Sequence, residues 1–326
     1  MSFQVNNNRF LNPSKEGFFS TATSYELRRT ESFQGTTAGF TSSGYQSNTI
    51  DKFPFATEAN ATDHGDLSVA RSSVAGHSST THGYSSGGEN ILPSPAAQTS
   101  AIDRFSFSSN VTATSVGDLT MNRSGASGHS SALTQVGFAS GGWQDPFPQY
   151  RDRIDRFPFA SSVTATTVGN LTVARNDSAA NSSDTHGYNT GANVPPNNRI
   201  DKFSFVNDGS ATTVGNLSNS AAFSIGQSSV TNGYSSGGNS GGNPVSAVHK
   251  FPFATDTNSS AVANLLSNRS SGAGQSSTSY GYASGGRGPT GSAINSINRF
   301  SFSVDSNSFD VGDLTSSRNS VAGHQD

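Results

Sequence analysis

A pair of phenylalanines spaced two residues apart returns along this chain, at Phe53/Phe55, Phe105/Phe107, Phe157/Phe159, Phe203/Phe205, Phe251/Phe253 and Phe300/Phe302. Two residues is the period at which side chains share one face of a β-strand. Phe53 and Phe55 are therefore expected on one face, with Ile50, Lys52 and Pro54 on the other. Each pair follows a lead such as Ile50-Asp51-Lys52 and precedes a Gly-Asp/Asn-Leu element such as Gly65-Asp66-Leu67. An arginine comes next (Arg71, Arg123, Arg175, Arg269, Arg318), then a Gly-His-Ser-Ser-like stretch, then a closing Gly-Tyr-Ser-Ser-Gly-Gly as at Gly83–Gly88. Gly233–Gly238 repeats this closing element, and variants of it stand at Gly137–Gly142, Gly187–Ala192 and Gly281–Gly286. A repeat of about 40–50 residues made of short, turn-bounded segments is the pattern of propeller blades.

The bulk composition fits such a ring better than it fits disorder. Only 31% of residues are hydrophobic and 13% charged, but 22 Phe and 8 Tyr can build a core, and the net charge is just -3. Disorder usually combines high net charge with few aromatics. No apolar pattern of helical period is sustained, so an all-β fold is expected. With no cysteine there is no disulfide, thiolate zinc site or cysteine nucleophile. The opening Met1-Ser2-Phe3-Gln4-Val5-Asn6 has neither the basic nor the apolar region of a secretory leader, so none is expected. No stretch reaches the roughly 18 apolar residues of a membrane-spanning helix, so no membrane partner is expected. The absence of a basic run argues against nucleic acid as a partner.

Each repeat holds four strand-length segments: a (Gly-His), b (Gly-Tyr), c (Phe-x-Phe) and d (Gly-Asp-Leu). The chain ends at Val321-Ala322-Gly323-His324-Gln325-Asp326, a strand a with nothing after it. Asn8-Arg9-Phe10-Leu11 and Tyr25-Glu26-Leu27 read as degraded strands c and d at the other end. The expectation is one domain, a seven-bladed β-propeller of four-stranded blades. Six blades fall at about residues 30–70, 71–122, 123–174, 175–219, 220–267 and 268–317, and the seventh combines 318–326 with 1–29. In that seventh blade, C-terminal strand a joins N-terminal strands b, c and d and removes open sheet edges.

The order of these elements resembles the kelch repeat: an arginine, a strand, a strand ending in Gly-Gly, a strand with an aromatic, and a final strand. Arg71, His77-Ser78-Ser79, Tyr84-Ser85-Ser86-Gly87-Gly88, Ile102-Asp103-Arg104-Phe105 and Gly117-Asp118-Leu119 follow it. Kelch repeats usually carry a tryptophan on the last strand, where this chain has Leu and Val; its only tryptophan is Trp143. The Ser/Thr-rich units are similar to kelch-like proteins encoded by tailed phages of aquatic bacteria. That resemblance implies a virion protein made in the host cytoplasm, present in multiple copies, whose partners are other virion proteins and host-surface glycans. Kelch-type copper oxidases build their cofactor from a cysteine-linked tyrosine, so no such cofactor is expected here.

Repeated polar residues are the first candidates for chemistry. His77, His129, Asn181, Gln227, Gln275 and His324 occupy one position of strand a, and the resemblance implies that strand a lines the central channel. Asn and Gln replace His as hydrogen-bonding groups but are poor zinc ligands, so a structural polar ring is expected and no metal. Arg71 with Asp66, and Arg123 with Asp118, suggest blade-to-blade ion pairs rather than an anion site, since one active site breaks symmetry. The asymmetric segment is the better functional candidate. Trp143, Phe147, Tyr150, Arg151 and Arg153 concentrate in one loop after Gly141-Gly142, a composition enriched at interfaces. Glu89–Ser100 and Arg287–Ser296 read as spacers, and neither a phosphate loop nor a nucleophile elbow is present. A non-catalytic structural or adhesive virion protein is expected, with a glycan-active enzyme or an adaptor as the alternatives.

Overall fold

The computed structural model describes residues 34–90, 96–146, 149–195 and 198–326. Among them lie six four-stranded antiparallel sheets and no helix. Each sheet runs a-b-c-d outward from a common axis, as blades of a β-propeller. The first blade takes Ala38–Ser42, Thr49–Pro54 and Thr62–Asp66 as strands b, c and d, and its strand a is the C-terminal Ala322–Gln325. The other five begin at Ala75, Ser127, Ala179, Ile225 and Ala273.

Strand c shows how the sequence dictates burial. In five blades it reads half-buried, buried, buried, half-buried, buried, half-buried, with Ile50 and Asp51 as the adjacent buried pair in the first. The register against strand d slips at this point, for example between Ile154 and Asp155, so a bulge lies beside the pair. Phe53 and Asp51 then share one face and Ile50 the other. Both faces are covered because every sheet is packed between two neighbours.

The Gly-aromatic dipeptide of strand b and the Phe-x-Phe of strand c form one device. The aromatic of strand b stacks on the second phenylalanine of the next blade, with centroids 4.6 Å apart for Tyr84–Phe159 and 4.9 Å for Phe138–Phe205. The same contact recurs at Phe40–Phe107, Tyr188–Phe253, Tyr234–Phe302 and Tyr282–Phe55. Glycine precedes that aromatic because the first phenylalanine of its own blade lies over it. A Cβ on Gly83 would sit 2.2 Å from Phe105 Cζ, and one on Gly233 would sit 2.3 Å from Phe251 Cζ. Each buried ring contributes roughly 1.5–3 kcal/mol by burial, and each pair about 0.5–1.5 kcal/mol more.

The recurrent arginine is fully buried, and its partner is not the one the sequence suggested. Arg71, Arg123, Arg175 and Arg318 pair with Asp103, Asp155, Asp201 and Asp51, at 3.3, 2.9, 2.6 and 2.6 Å. These carboxylates belong to the Ile-Asp lead of strand c, whereas Asp66 and Asp118 of Gly-Asp-Leu lie on the outer strand, half-buried and exposed respectively. Each strand c carboxylate also accepts from the preceding blade, as Asp155 does from Thr120 N–H at 3.0 Å and Thr120 Oγ at 2.7 Å. The motif therefore fastens one blade to the next.

The expectation of seven blades is corrected to six among the described residues. The C-terminal strand pairs with Ala38–Ser42 in the register Gly39↔Gln325 to Ser42↔Ala322. The first repeat holds only strands b, c and d, so its missing strand a is the one the chain's end supplies. The aromatic contacts close the ring at that count: Tyr282 of the last blade packs on Phe53 and Phe55 of the first, and Phe40 of the first on Phe105 and Phe107. The strands expected within residues 2–27 lie outside the described residues.

Candidate binding face and axial channel

The six strands a meet around the axis, and small residues set how closely. Gly76, Gly128, Ala180, Gly226, Gly274 and Gly323 form a ring at the waist of the channel. A Cβ on Gly226, Gly274 or Gly323 would lie 2.0 Å from the neighbouring strand's carbonyl oxygen, so adjacent backbones touch directly. Two cavities meet at this waist, about 160 Å³ on one side and about 70 Å³ on the other.

The smaller cavity is closed by a cyclic hydrogen-bond ring. Backbone N–H groups of Ser78, Ser130, Ser182, Ser228, Ser276 and Gln325 each donate to the next blade's side chain. The acceptor is a serine Oγ in five of them and Gln325 Oε1 in the sixth. Gln34 Nε2 donates to Ser228 O at this end, 3.0 Å away.

Between the Gly and Ser positions stands the sequence's polar ring, with its side chains buried between blades. His77 Nδ1 donates to His129 O, His129 Nδ1 to Asn181 O and His324 Nδ1 to His77 O, at 3.1, 3.1 and 3.0 Å. Their Nε2 atoms meet Ser86, Ser140 and Ser42 hydroxyls at 2.8, 3.0 and 2.8 Å. Asn181 donates to Gln227 O, Gln227 to Tyr282 O and Gln275 to Phe40 O. Burial holds the histidines neutral, pushing His77 down to about 3 and His129 and His324 to about 4. No group of three or more metal-ligating side chains gathers among the described residues.

The wider cavity opens between the turns that precede strand a. There a second cyclic ring runs through backbone alone: Gly125 N–H donates to Ser73 O, Asp177 to Gly125, Phe223 to Asp177, Ser271 to Phe223, Ser320 to Ser271 and Ser73 to Ser320. All six residues have left-handed φ, between 53° and 63°. Only one of them is glycine, so the ring holds backbone conformations that cost of order 1 kcal/mol or more at a bulky residue such as Phe223. Side chains at these positions face the same mouth and differ: three serines, a glycine, Asp177 and Phe223.

Around this mouth stands a rim that sequence reasoning missed. The residue after each Gly-Gly-like pair donates its N–H to the residue just before the turn ring. The six are Tyr45, Glu89, Trp143, Asn193, Asn239 and Arg287, bonded to Asn319, Ser72, Ser124, Asn176, Ala222 and Ser270. Aligning the repeats on Gly-Gly finds these positions, because they vary while everything around them repeats. Short two-stranded ribbons rise from three of them: Glu89–Asn90 with Ala97–Gln98, Trp143–Gln144 with Gln149–Tyr150, and Asn239–Ser240 with Asn243–Pro244. The segments after Glu89 and Arg287, which read as spacers, thus start on this rim.

The aromatic loop has a defined place in it. Trp143 pairs across its ribbon with Tyr150, both half-buried, and Arg151 donates to Gln144 Oε1 at 2.7 Å. Gln98 ties the neighbouring ribbon to it, accepting from Asp145 N–H at 2.9 Å and donating to Ser124 Oγ at 3.2 Å. Glu89 is pushed up by burial and by Asp145 beside it. Arg153 is the first residue of strand c and reaches Thr120 of the preceding blade at 3.2 Å, apart from the other loop residues. Phe147 lies outside the described residues. Comparison of the chain with protein-family models and with curated proteins finds no match.

Proposed function

We propose that this protein is a non-catalytic binding propeller, a structural or adhesive component of a phage particle, whose recognition face is the rim around the wider channel mouth. One observation carries the reading. Five of six blades repeat nearly the same scaffold residues at strands a to d, yet the six rim positions hold Tyr, Glu, Trp, Asn, Asn and Arg. A scaffold that repeats while one end diverges is how rigid folds carry recognition on their loops. Trp143, Tyr150 and Arg151 supply the aromatic and guanidinium chemistry of interface hot spots. The kelch-like order of motifs and the Ser/Thr-rich form of the units support the family and phage contexts respectively. Partners on this reading are another virion protein or a host-surface glycan.

The buried polar groups support a non-catalytic role. The strand a histidines spend both ring nitrogens on neighbours, and the recurrent Arg and Asp satisfy each other, which leaves neither set free for acid–base work. Replacing Trp143 and Tyr150 together by alanine is expected to abolish binding on a glycan array or to isolated virion proteins while the melting transition stays in place. Full binding by that variant, or purified particles whose mass spectrum lacks the chain, overturns the assignment.

A further inference from the structure

We propose that the wider channel mouth is a binding site for a small organic ammonium ion, seated against Asp177 with Phe223 beside it. This stands independently of the rim's partner, since it uses the axial cavity and not the ribbons.

The cavity of about 160 Å³ is lined by strand a backbones, serine hydroxyls, small apolar side chains, Phe223 and a single titratable residue, Asp177. No Lys, Arg or His lines it. Six-fold equivalence makes Asp177 conspicuous, because the same ring position is serine in three blades and glycine in the one before it. That glycine makes room: a Cβ on Gly125 would lie 2.7 Å from Asp177 Oδ1, so the carboxylate leans over the neighbouring position. Asp177 Oδ2 accepts from Asn176 Nδ2, and Oδ1 has no donor among the described residues. Two buried oxygens nearby, Asn176 Oδ1 and Ser224 Oγ, have no partner among the described residues, and Ser224 lines the cavity.

The one charge carried by the residues lining this mouth is therefore negative. The ring carbonyls already accept from the ring's own N–H groups, so the capacity left over is that of the half-buried Asp177 carboxylate, and a partly desolvated carboxylate without a cation is costly. Left-handed Phe223 is adjacent on the ring, and an aromatic beside a carboxylate suits an alkylammonium head, which joins charge to a short apolar stem. The neighbouring guanidiniums do not supply that cation. Arg123 and Arg175 turn away to Asp155 and Asp201, and Ala221 stands where the third arginine would be.

The probe is propylammonium, followed by saturation-transfer NMR and calorimetry on the full chain, with propanol and potassium chloride as controls. Binding is expected above the Asp177 carboxyl's value of about 7 and to weaken as that group takes its proton. Asp177→Ser, the residue its equivalents carry, is expected to fold to the same cooperative ring and to bind at least about tenfold more weakly, the loss of one charge-assisted contact. Equal binding of propanol, displacement by potassium at the same concentration, undiminished binding by Asp177→Ser, or no binding of propylammonium at all overturns the proposal. Loss of rim binding in the Trp143 and Tyr150 variant leaves the propylammonium signal unchanged, which separates the two failures.

Discussion

At the residue scale, the strand a histidines make stability depend on pH with a sign that can be worked out. In the native state His77, His129 and His324 stay neutral down to about 3, 4 and 4, because burial opposes charging them. The unfolded chain protonates them near 6.5, so their contribution is complete above that pH and is lost as pH falls toward 4. Asp177 opposes this, since burial raises it to about 7 and its contribution is lost as pH rises through that range. Each group contributes a slope of at most about 1.4 kcal/mol per pH unit, so three histidines outweigh one aspartate. Denaturant melts are expected to show stability falling steeply between pH 6 and pH 4.5, about two net slopes' worth. His324→Gln, the residue used at Gln227 and Gln275, should remove roughly one of those slopes; an unchanged profile would show that the buried histidines do not govern acid unfolding.

At the scale of the element, the fifth blade is a natural control for the arginine clasp. Ala221 stands in place of arginine and His249 in place of the strand c aspartate, and His249 Nδ1 meets Ser218 Oγ at 2.9 Å. Both partners of the ion pair have gone together there, whereas the sixth blade keeps the buried Arg269 and gives it Asn298 Oδ1 as acceptor at 3.1 Å. Asp155→Ala leaves the buried Arg123 guanidinium without its carboxylate and is expected to cost about 3–5 kcal/mol in urea unfolding. Combining Arg123→Ala with Asp155→His, the fifth blade's arrangement, is expected to cost less than that single change. A double variant that is the weaker of the two would mean packing of the arginine stem, not charge balance, dominates the clasp. The pairing itself was not legible from sequence. Asp66 and Asp103 both recur near the arginine in the repeat, and only the tertiary arrangement shows that Asp103 is buried beside Arg71 while Asp66 lies half-buried on the outer strand.

For the whole molecule, everything rests on one short strand. Ala322–Gln325 completes the first blade, Asp326 Oδ1 accepts Ala38 N–H at 2.7 Å, and His324 links that blade to the second through His77 O. Deleting residues 322–326 is expected to break the serine ring at Gln325 and bare the edge of Ala38–Ser42. The expected outcome is loss of a single cooperative transition in calorimetry together with self-association. A truncated chain that melts as sharply and at the same temperature would show that six blades hold without closure.

The repeat alone determined that this chain forms blades, because Phe-x-Phe has strand period and no single repeat can bury its rings. It also determined which rings form the core and that the polar residues of strand a are interchangeable hydrogen-bonding groups. The tertiary structure decided how many blades close, since closure depends on where the last strand finds an unpaired edge, and the sequence offers candidate edges at 2–27 as well as at Ala38–Ser42. It also decided what faces the axis. Tyr45, Glu89, Trp143, Asn193, Asn239 and Arg287 are scattered over some 240 residues, and only blades arranged around an axis bring them to one rim. Asp177 and Phe223 looked like ordinary variation between repeats, and became a candidate site because ring geometry sets them side by side over one cavity.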